Sequence, residues 1–575
     1  MTQGLLQISA GNLNDAFTRM VRRGVRDNVV PRIMTRDASV FGKDRKLKKL
    51  ITNRLGWVDS TTRMRRQVAN IERFGKEVFR TRTEHVVLMG MGGSSLCPEL
   101  FGLMHRKHPK LKSFDVIDST DPAAVSRIAR KIDPKRTLFI VSSKSGGTVE
   151  TRSQEAFFWQ LCLDAKVRQP GSRFVAITDK GSALQKLGRK KKYRKIFLNP
   201  SDIGGRYSAL SYFGLVPAFF AGVDLRALLD DAYQMQKVLT SRDDNTNPAL
   251  LLGALMATCA KAGLDKMTCI AGKRVAPLVP WIEQLVAEST GKRKKGVVPI
   301  EAEPLGRIQD YGKDRFFVFF KMAGEKTPLE DRLRRVLQKK RIPVVHITLG
   351  SKAELGRQFL LWEAATAVCG HFLKINPFDE PNVTESKEIT KSILAQFEKL
   401  GEFPQKAPKA TWGKLTLIAH DEAKRYRAAD KKSLSAMLKR FFGGVRPPMY
   451  FATMGYFKSD TRTEEAFAKL RQKLQKQRKL ATLRGYGPRY LHSIGQLYKG
   501  GPPDGVFVVF MRTRYGTAKV PGQAYSFGDL ITAQALGDAQ ALVRRHLPTL
   551  VIAIDGNPAE AIRAFSNALG RALRK

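Results

Sequence analysis

Residues Ser143-Lys144-Ser145-Gly146-Gly147-Thr148-Val149-Glu150-Thr151 follow directly on the apolar run Thr137-Leu138-Phe139-Ile140-Val141-Ser142. A short β-rich run that opens into Ser, Thr and Gly and then a helix-like stretch has the form of an anion cradle. Glycines let the backbone come close to an anion, and hydroxyls with the free N–H groups of a helix start donate to it. Turn geometry or a helix cap would need only one such hydroxyl. Four hydroxyls and a lysine within these nine residues exceed that need. A second loop of the same design, Gly90-Met91-Gly92-Gly93-Ser94-Ser95, follows Val86-Val87-Leu88-Met89. It has the glycines of a nucleotide turn, but no acidic residue is placed to hold a ribose. Further on, Gly204-Gly205-Arg206-Tyr207-Ser208 sets an arginine beside two flexible residues, and Gln284-Leu285-Val286-Ala287-Glu288-Ser289-Thr290-Gly291-Lys292 sets a carboxylate near glycine and hydroxyls. An anion site, a cation and a carboxylate together suit proton transfer on a phosphorylated substrate.

These loops need a scaffold that brings strand ends together. The first ~80 residues read as helical, with apolar spacing of three and four over 44–53 and 62–79. From Glu84 short apolar runs alternate with helical stretches: 86–89, 114–117, 138–141, 174–177 and 195–198. That alternation predicts a parallel sheet covered by helices on both faces, with ligands at the carboxyl ends of the strands, where both Gly/Ser loops fall. Runs at 267–270, 315–320 and 344–347 predict a second α/β domain, 401–411 reads as a linker or surface loop, and 506–510 and 549–554 read as further strands. A closing amphipathic helix is expected over 557–575. The division expected is 1–80 helical, 81–250 a first α/β domain and 251–575 a second with insertions.

The chain has 575 residues, long enough for two or more domains with full cores. Its five cysteines, Cys97, Cys162, Cys259, Cys269 and Cys369, lack metal-ligand spacing, which fits small core residues of a reduced, cytoplasmic protein. The N-terminus lacks the layout of a signal peptide. The most membrane-like stretch, 210–225, is short and holds Gly214, Pro217, Gly222 and Asp224, so a buried helix is expected there and no membrane partner. Lys and Arg number 101 against 52 acidic residues, a net charge of +49. Such a field attracts polyanions. The excess is nevertheless spread along the chain, its densest blocks being 189–195 and 292–295, and no arginine-rich arm or RNP-type motif accompanies it. Solvated basic faces are therefore preferred to a nucleic-acid function.

GMGGSS, SKSGGTVET, GGRYS and AESTGK, in this order, resemble the glucose-6-phosphate isomerase family. Asn53-Arg54-Leu55-Gly56-Trp57, Trp281-Ile282-Glu283-Gln284, Tyr311-Gly312-Lys313-Asp314-Arg315 and the stretch 375–383 extend the likeness, as do 487–493 and 495–501. In these the chain is similar to one branch, the isomerase half of bacterial transaldolase/glucose-6-phosphate isomerase fusions. The likeness spans about residues 40 to 550, and no stretch resembles a transaldolase barrel.

The resemblance implies an α/β fold of two sugar-isomerase type three-layer αβα domains with parallel sheets and extra helices. It implies interconversion of glucose 6-phosphate and fructose 6-phosphate through an enediol, without metal or organic cofactor, by a homodimer or monomer. Matched motif by motif, Glu288 is the base, Arg206 steadies the enediolate, and His492 and Lys387 open the ring. Ser143, Lys144, Ser145, Thr148 and Thr151 hold the phosphate, with Gly93, Ser94 and Gln284 also on the substrate. Lys387 precedes His492 in the chain, opposite to the usual order, so the fold must bring them together. Glu380 stands where the motif usually has Gln, Tyr498 where it has His, and Ile494 where it has Thr. Two other readings stand beside this one: an isomerase of both glucose and mannose phosphates, and a non-catalytic sugar-phosphate-binding regulator. A regulator would have no need of Glu288, His492 and Lys387 together.

Overall fold

The computed structural model describes residues 6–241, 246–403, 410–420 and 433–574. Much of the expected linker at 401–411 lies outside them, as do residues 1–5. Strand β1 is Leu6–Ser9. Strands β2 (His85–Met89), β3 (Ser113–Ile117), β4 (Thr137–Ser142), β5 (Phe174–Asp179) and β6 (Lys195–Asn199) form the first sheet. Its order is β3-β2-β4-β5-β6, all parallel. Next come β7 (Lys266–Ala271), β8 (Val298–Ile300), β9 (Arg315–Met322) and β10 (Val344–Leu349). The N-terminal β1 adds antiparallel to β10, giving a middle sheet β1-β10-β9-β7-β8. The third sheet takes β11 (Ala410–Trp412), β12 (Leu415–His420), β13 (Tyr450–Tyr456), β14 (Ala481–Tyr486), β15 (Gly505–Arg512) and β16 (Thr549–Ile554). Its order is β11-β12-β16-β15-β13-β14.

Each sheet contains the same parallel motif, in which the first strand lies between the second and the third: β3-β2-β4, β8-β7-β9 and β14-β13-β15. Strand order reverses at that point, so the loops on either side diverge and leave a crevice at the strands' carboxyl ends. In the first sheet those loops are the ones after β2 and β4, the two Gly/Ser loops singled out by sequence.

The parallel α/β architecture agrees with expectation, but the grouping of strands differs. Residues 251–575, read as one domain with insertions, carry most of two sheets. The boundary drawn at 250 falls inside the helix Pro248–Lys261, and the described residues 6–80 are mainly helical apart from β1. Apolar runs reveal strands, whereas their partners are fixed by hydrogen bonds between segments far apart in sequence. One apolar core joins the first and middle sheets: Val86, Leu88 and Ile140 belong to the same buried cluster as Phe316, Val318 and Val345. The helix Pro248–Lys261, apolar nearly all round and capped by the Asn247 side chain, lies within it. The stretch 210–225 contains the buried helix Tyr212–Phe220, and no described helix is long and apolar enough to cross a membrane.

A buried polar network joins the middle and third sheets. Arg315 on β9 pairs with Glu303, both side chains sealed from solvent, and donates to the Leu480 carbonyl at 2.7 Å. Glu303 in turn accepts from the Thr482 N–H and hydroxyl on β14, each at 2.8 Å. Arg471 donates to the carbonyls of Glu301, Ala302 and Thr482. Removing one member of a buried pair leaves the other charge uncompensated. We therefore expect Arg315→Met to destabilise the protein by about 3–5 kcal/mol, read as a lower denaturation midpoint.

Candidate active site

The loop after β4 is shaped by its glycines and hydroxyls. Gly146 has φ +71°, and a Cβ there would lie 2.2 Å from the Leu184 nitrogen. Ser143 Oγ accepts from the Gly146 N–H at 3.1 Å and lies 3.3 Å from Thr148 Oγ1. Ser145 Oγ accepts from the Gly147 N–H at 3.2 Å. Thr148 is the N-cap of the helix Val149–Asp164 and makes no side-chain cap bond, which leaves the first-turn N–H groups unclaimed by that hydroxyl. Ser143, Ser145 and Thr148 line a cavity of about 570 Å³.

Two residues expected on the phosphate are employed differently. Lys144 lines the cavity, but its Nζ pairs with Asp179 at 2.6 Å and donates to the Ser201 and Ile203 carbonyls, each at 2.9 Å. Its charge therefore pins neighbouring loops. Thr151 sits within the first turn of the helix, is buried, and is absent from the cavity wall; its Oγ1 has no hydrogen-bond partner. Sequence spacing did not separate loop from helix at that position. Conversely, Lys180, in the turn after β5, lines the cavity, is exposed, and has no ion pair among the described residues. Ser182 lines it too.

Gly92 and Gly93 are where the segments meet. A Cβ on Gly93 would lie 2.1 Å from the Gly205 oxygen, and one on Gly92 would lie 2.5 Å from the His492 oxygen and 2.8 Å from Gln284 Nε2. The absence of side chains thus lets the Arg206 loop, the Gln284 helix and the His492 segment reach one point. Ser94 also lines the cavity.

The helix Val279–Thr290 places Gln284 and Glu288 one turn apart, with Gln284 Nε2 donating to Glu288 at 3.2 Å and to the His492 carbonyl at 2.8 Å. Arg206 is almost wholly buried. Its Nε donates to Ser289 Oγ at 2.8 Å, and its Nη2 to the Pro377 and Asp379 carbonyls at 2.8 and 2.9 Å. Its Nη1 lies 3.1 Å from Glu380 and 3.4 Å from Glu288. Burial raises the Glu288 carboxyl above its ordinary value; Arg206 opposes this and Glu380 adds to it. Lys292, expected on a solvated face, is buried, donating to the Asn376 carbonyl at 2.6 Å and pairing with Asp379 at 2.9 Å. Burial pulls it down to about 7.

The reversed order of Lys387 and His492 is resolved by the loop 376–382. Arg206 and Lys292 hold its first part, and Gln496 bonds the Asn382 N–H at 2.9 Å and its side chain at 2.8 Å. The helix Thr384–Leu400 follows and brings Lys387 to the cavity wall beside His492. His492 Nε2 bonds Glu150 at 3.0 Å, and Gln534 donates to the same carboxylate oxygen at 2.9 Å. Burial would raise Glu150, but His492, a backbone hydrogen bond and Lys387 together hold the carboxyl below its ordinary value. Its proximity to His492 eluded the sequence reading; Glu150 lay in the phosphate motif without signalling a partner 342 residues away. Tyr498 lies outside the cavity, buried against Tyr450, Tyr490 and Phe507. The described residues contain no cluster of His, Cys, Asp and Glu able to hold a metal.

A second cavity, about 480 Å³, lies across the segment 489–493. There Arg489 pairs with Glu99 and, at 3.0 Å, with Asp118, while Arg484 pairs with Glu464 at 3.0 Å and Glu301 at 3.6 Å. Arg489 and Arg484 are thus engaged in joining the sheets, and Glu288, Arg206, His492 and Lys387 all open onto the first cavity.

The parallel sheets and the polar cavity at the strand ends of the first define an α/β protein that takes its ligand where strand order reverses. A glucose-6-phosphate isomerase from Chlamydia trachomatis shares the fold at TM-score 0.50 and 19% identity, over 65% of this chain and 79% of that one. A hypothetical protein from Thermus thermophilus does so at 0.57 and 23%, over 68% and 100%. The family model for phosphoglucose isomerase matches residues 56–312. A probable glucose-6-phosphate isomerase of Methanococcus maripaludis is 30% identical over 54% of this chain and 78% of its own length. The glucose-6-phosphate isomerase of Methanocaldococcus jannaschii is 28% identical, over 54% and 85%. The chain belongs to the glucose-6-phosphate isomerase family.

Gly93→Ala is expected to push the Arg206 loop aside and lower kcat/KM by about 100-fold, with the circular dichroism spectrum unchanged.

Proposed function

We propose that Glu288, Arg206, His492 and Lys387 carry the reaction of this family, the interconversion of glucose 6-phosphate and fructose 6-phosphate. The chain is an aldose–ketose isomerase. The observation that carries the assignment is convergence: four residues from four separate segments line one cavity with the anion loop. The substrate phosphate sits at the start of the helix Val149–Asp164, held by Ser143, Ser145, Thr148 and backbone N–H groups. Lys180 supplies the positive charge that Lys144 has committed elsewhere.

His492, oriented by Glu150, and Lys387 move the protons of ring opening between O1 and the ring oxygen. In the open aldose Glu288 takes the C2 proton and becomes a carboxylic acid, and the C2–H electron pair forms the C1–C2 double bond. Negative charge builds on O1 and is met by Arg206 Nη1, the guanidinium nitrogen not taken up by Ser289 or the loop carbonyls; such a contact is worth about 3 kcal/mol. Glu288 then returns its proton to C1 while the O2 proton passes to O1, so that O2 becomes the ketone oxygen and O1 the hydroxyl of the ketose. A base of this kind works best with its pKa near the working pH, and the upward displacement of Glu288 supports the role.

In an assay coupling fructose 6-phosphate conversion to glucose-6-phosphate dehydrogenase, Glu288→Gln should lower kcat by about 10³-fold and leave KM near its starting value. Activity retained by this variant would remove Glu288 from the mechanism. Lys180→Gln should raise KM for the phosphorylated sugar several-fold, whereas Lys144→Met should show itself chiefly as a lower Tm.

A further inference from the structure

The reaction scheme leaves Glu380 without a task, although it lines the same cavity as Glu288, Arg206 and Lys387. Its carboxylate is half exposed, with 46% of the side chain accessible, against 14% for Glu288 and 3% for Arg206. Both carboxylates meet one guanidinium nitrogen, Arg206 Nη1, at 3.1 Å for Glu380 and 3.4 Å for Glu288. Arg206 carries one positive charge and has two negative partners at that atom.

Glu380 is held there by contacts that do not involve its own side chain. Arg206 Nη2 bonds the carbonyls of Pro377 and Asp379, Lys292 bonds the Asn376 carbonyl and the Asp379 carboxylate, and Gln496 holds Asn382. The backbone on either side of Glu380 is therefore fixed independently of the charge it presents. A neutral amide of the same shape can replace the carboxylate and leave the loop in place.

We propose that Glu380 is a positioning residue that holds part of the Arg206 charge away from Glu288 and so makes Glu288 the stronger base. This rests on Glu288 being the base. The groups facing Glu288 are Arg206, Lys292 and His492 on the positive side and Glu380 on the negative, with neutral Gln284 bonded to it, the Tyr207 hydroxyl, pushed up by burial, near it and Lys387 on the cavity wall. Three cations press Glu288 toward ionisation at low pH. Glu380 works against them, as a second carboxylate sharing a site does. It also lets Arg206 be redistributed between partners as charge forms on the substrate.

The test is the pH dependence of kcat/KM for fructose 6-phosphate in the wild type, Glu380→Gln and Glu380→Ala, with Glu288→Gln as reference. The base must be ionised, so activity falls as pH drops through its pKa. Removing the neighbouring negative charge eases ionisation, and both Glu380 variants should carry the acid limb to lower pH by about one unit. The substrate phosphate titrates alike in every assay, so the difference between profiles belongs to the enzyme. A limb that stays in place in both variants, or loss of activity at every pH in both, overturns the inference while an inactive Glu288→Gln leaves the base assignment standing. An active Glu288→Gln would instead overturn the assignment on which the inference rests.

Discussion

The buried guanidinium of Arg206 is the interaction around which the site is arranged. A charge removed from water is costly unless it is paired and hydrogen-bonded. Arg206 meets that requirement with groups from two distant segments: Glu288 and Ser289 on the helix Val279–Thr290, and the carbonyls and carboxylate of 377–380. Satisfying one cation therefore fixes the carboxylate proposed as base. It also fixes the loop that delivers Lys387, so energetic necessity and catalytic geometry coincide. Lys292 strengthens the same clamp from just beyond the same end of that helix.

A second polar line ties the third sheet to the first. Thr120 bonds Gln534, Gln534 bonds Glu150, and Glu150 bonds His492. Behind it, Tyr490, two residues before His492, shares Asp538 with Tyr456. His492 is thus held by a carboxylate from the helix whose start lies at the proposed anion site. The proposed phosphate site and the proposed ring-opening residue are consequently positioned by one helix.

The large positive charge has a structural component as well as a surface one. Arg206, Lys266, Lys292, Arg315 and Arg471 are all buried, bonded to carboxylates or to backbone carbonyls. Sequence blocks alone place Lys292 with Lys294 and Lys295 on a solvated face. Three-dimensional packing separates Lys292 from that group, because the loop 376–380 covers it.

The sequence by itself determined the parallel α/β class, the strands of the first sheet, the two Gly/Ser loops at their carboxyl ends and the family. These signals are local: apolar runs, glycines where backbones must touch, and hydroxyls at a helix start. Legible too were Glu288, Arg206, His492 and Lys387 as candidates, through their motifs. Only the tertiary structure decided that the later strands form two sheets, with β13 between β14 and β15 in the third. It alone decided that Lys144 spends its charge on Asp179, that Thr151 is buried away from the cavity, and that Glu150 bonds His492. A side chain's partner depends on which distant segments the hydrophobic core brings together. Burial then decides whether a lysine faces a ligand, a loop or water.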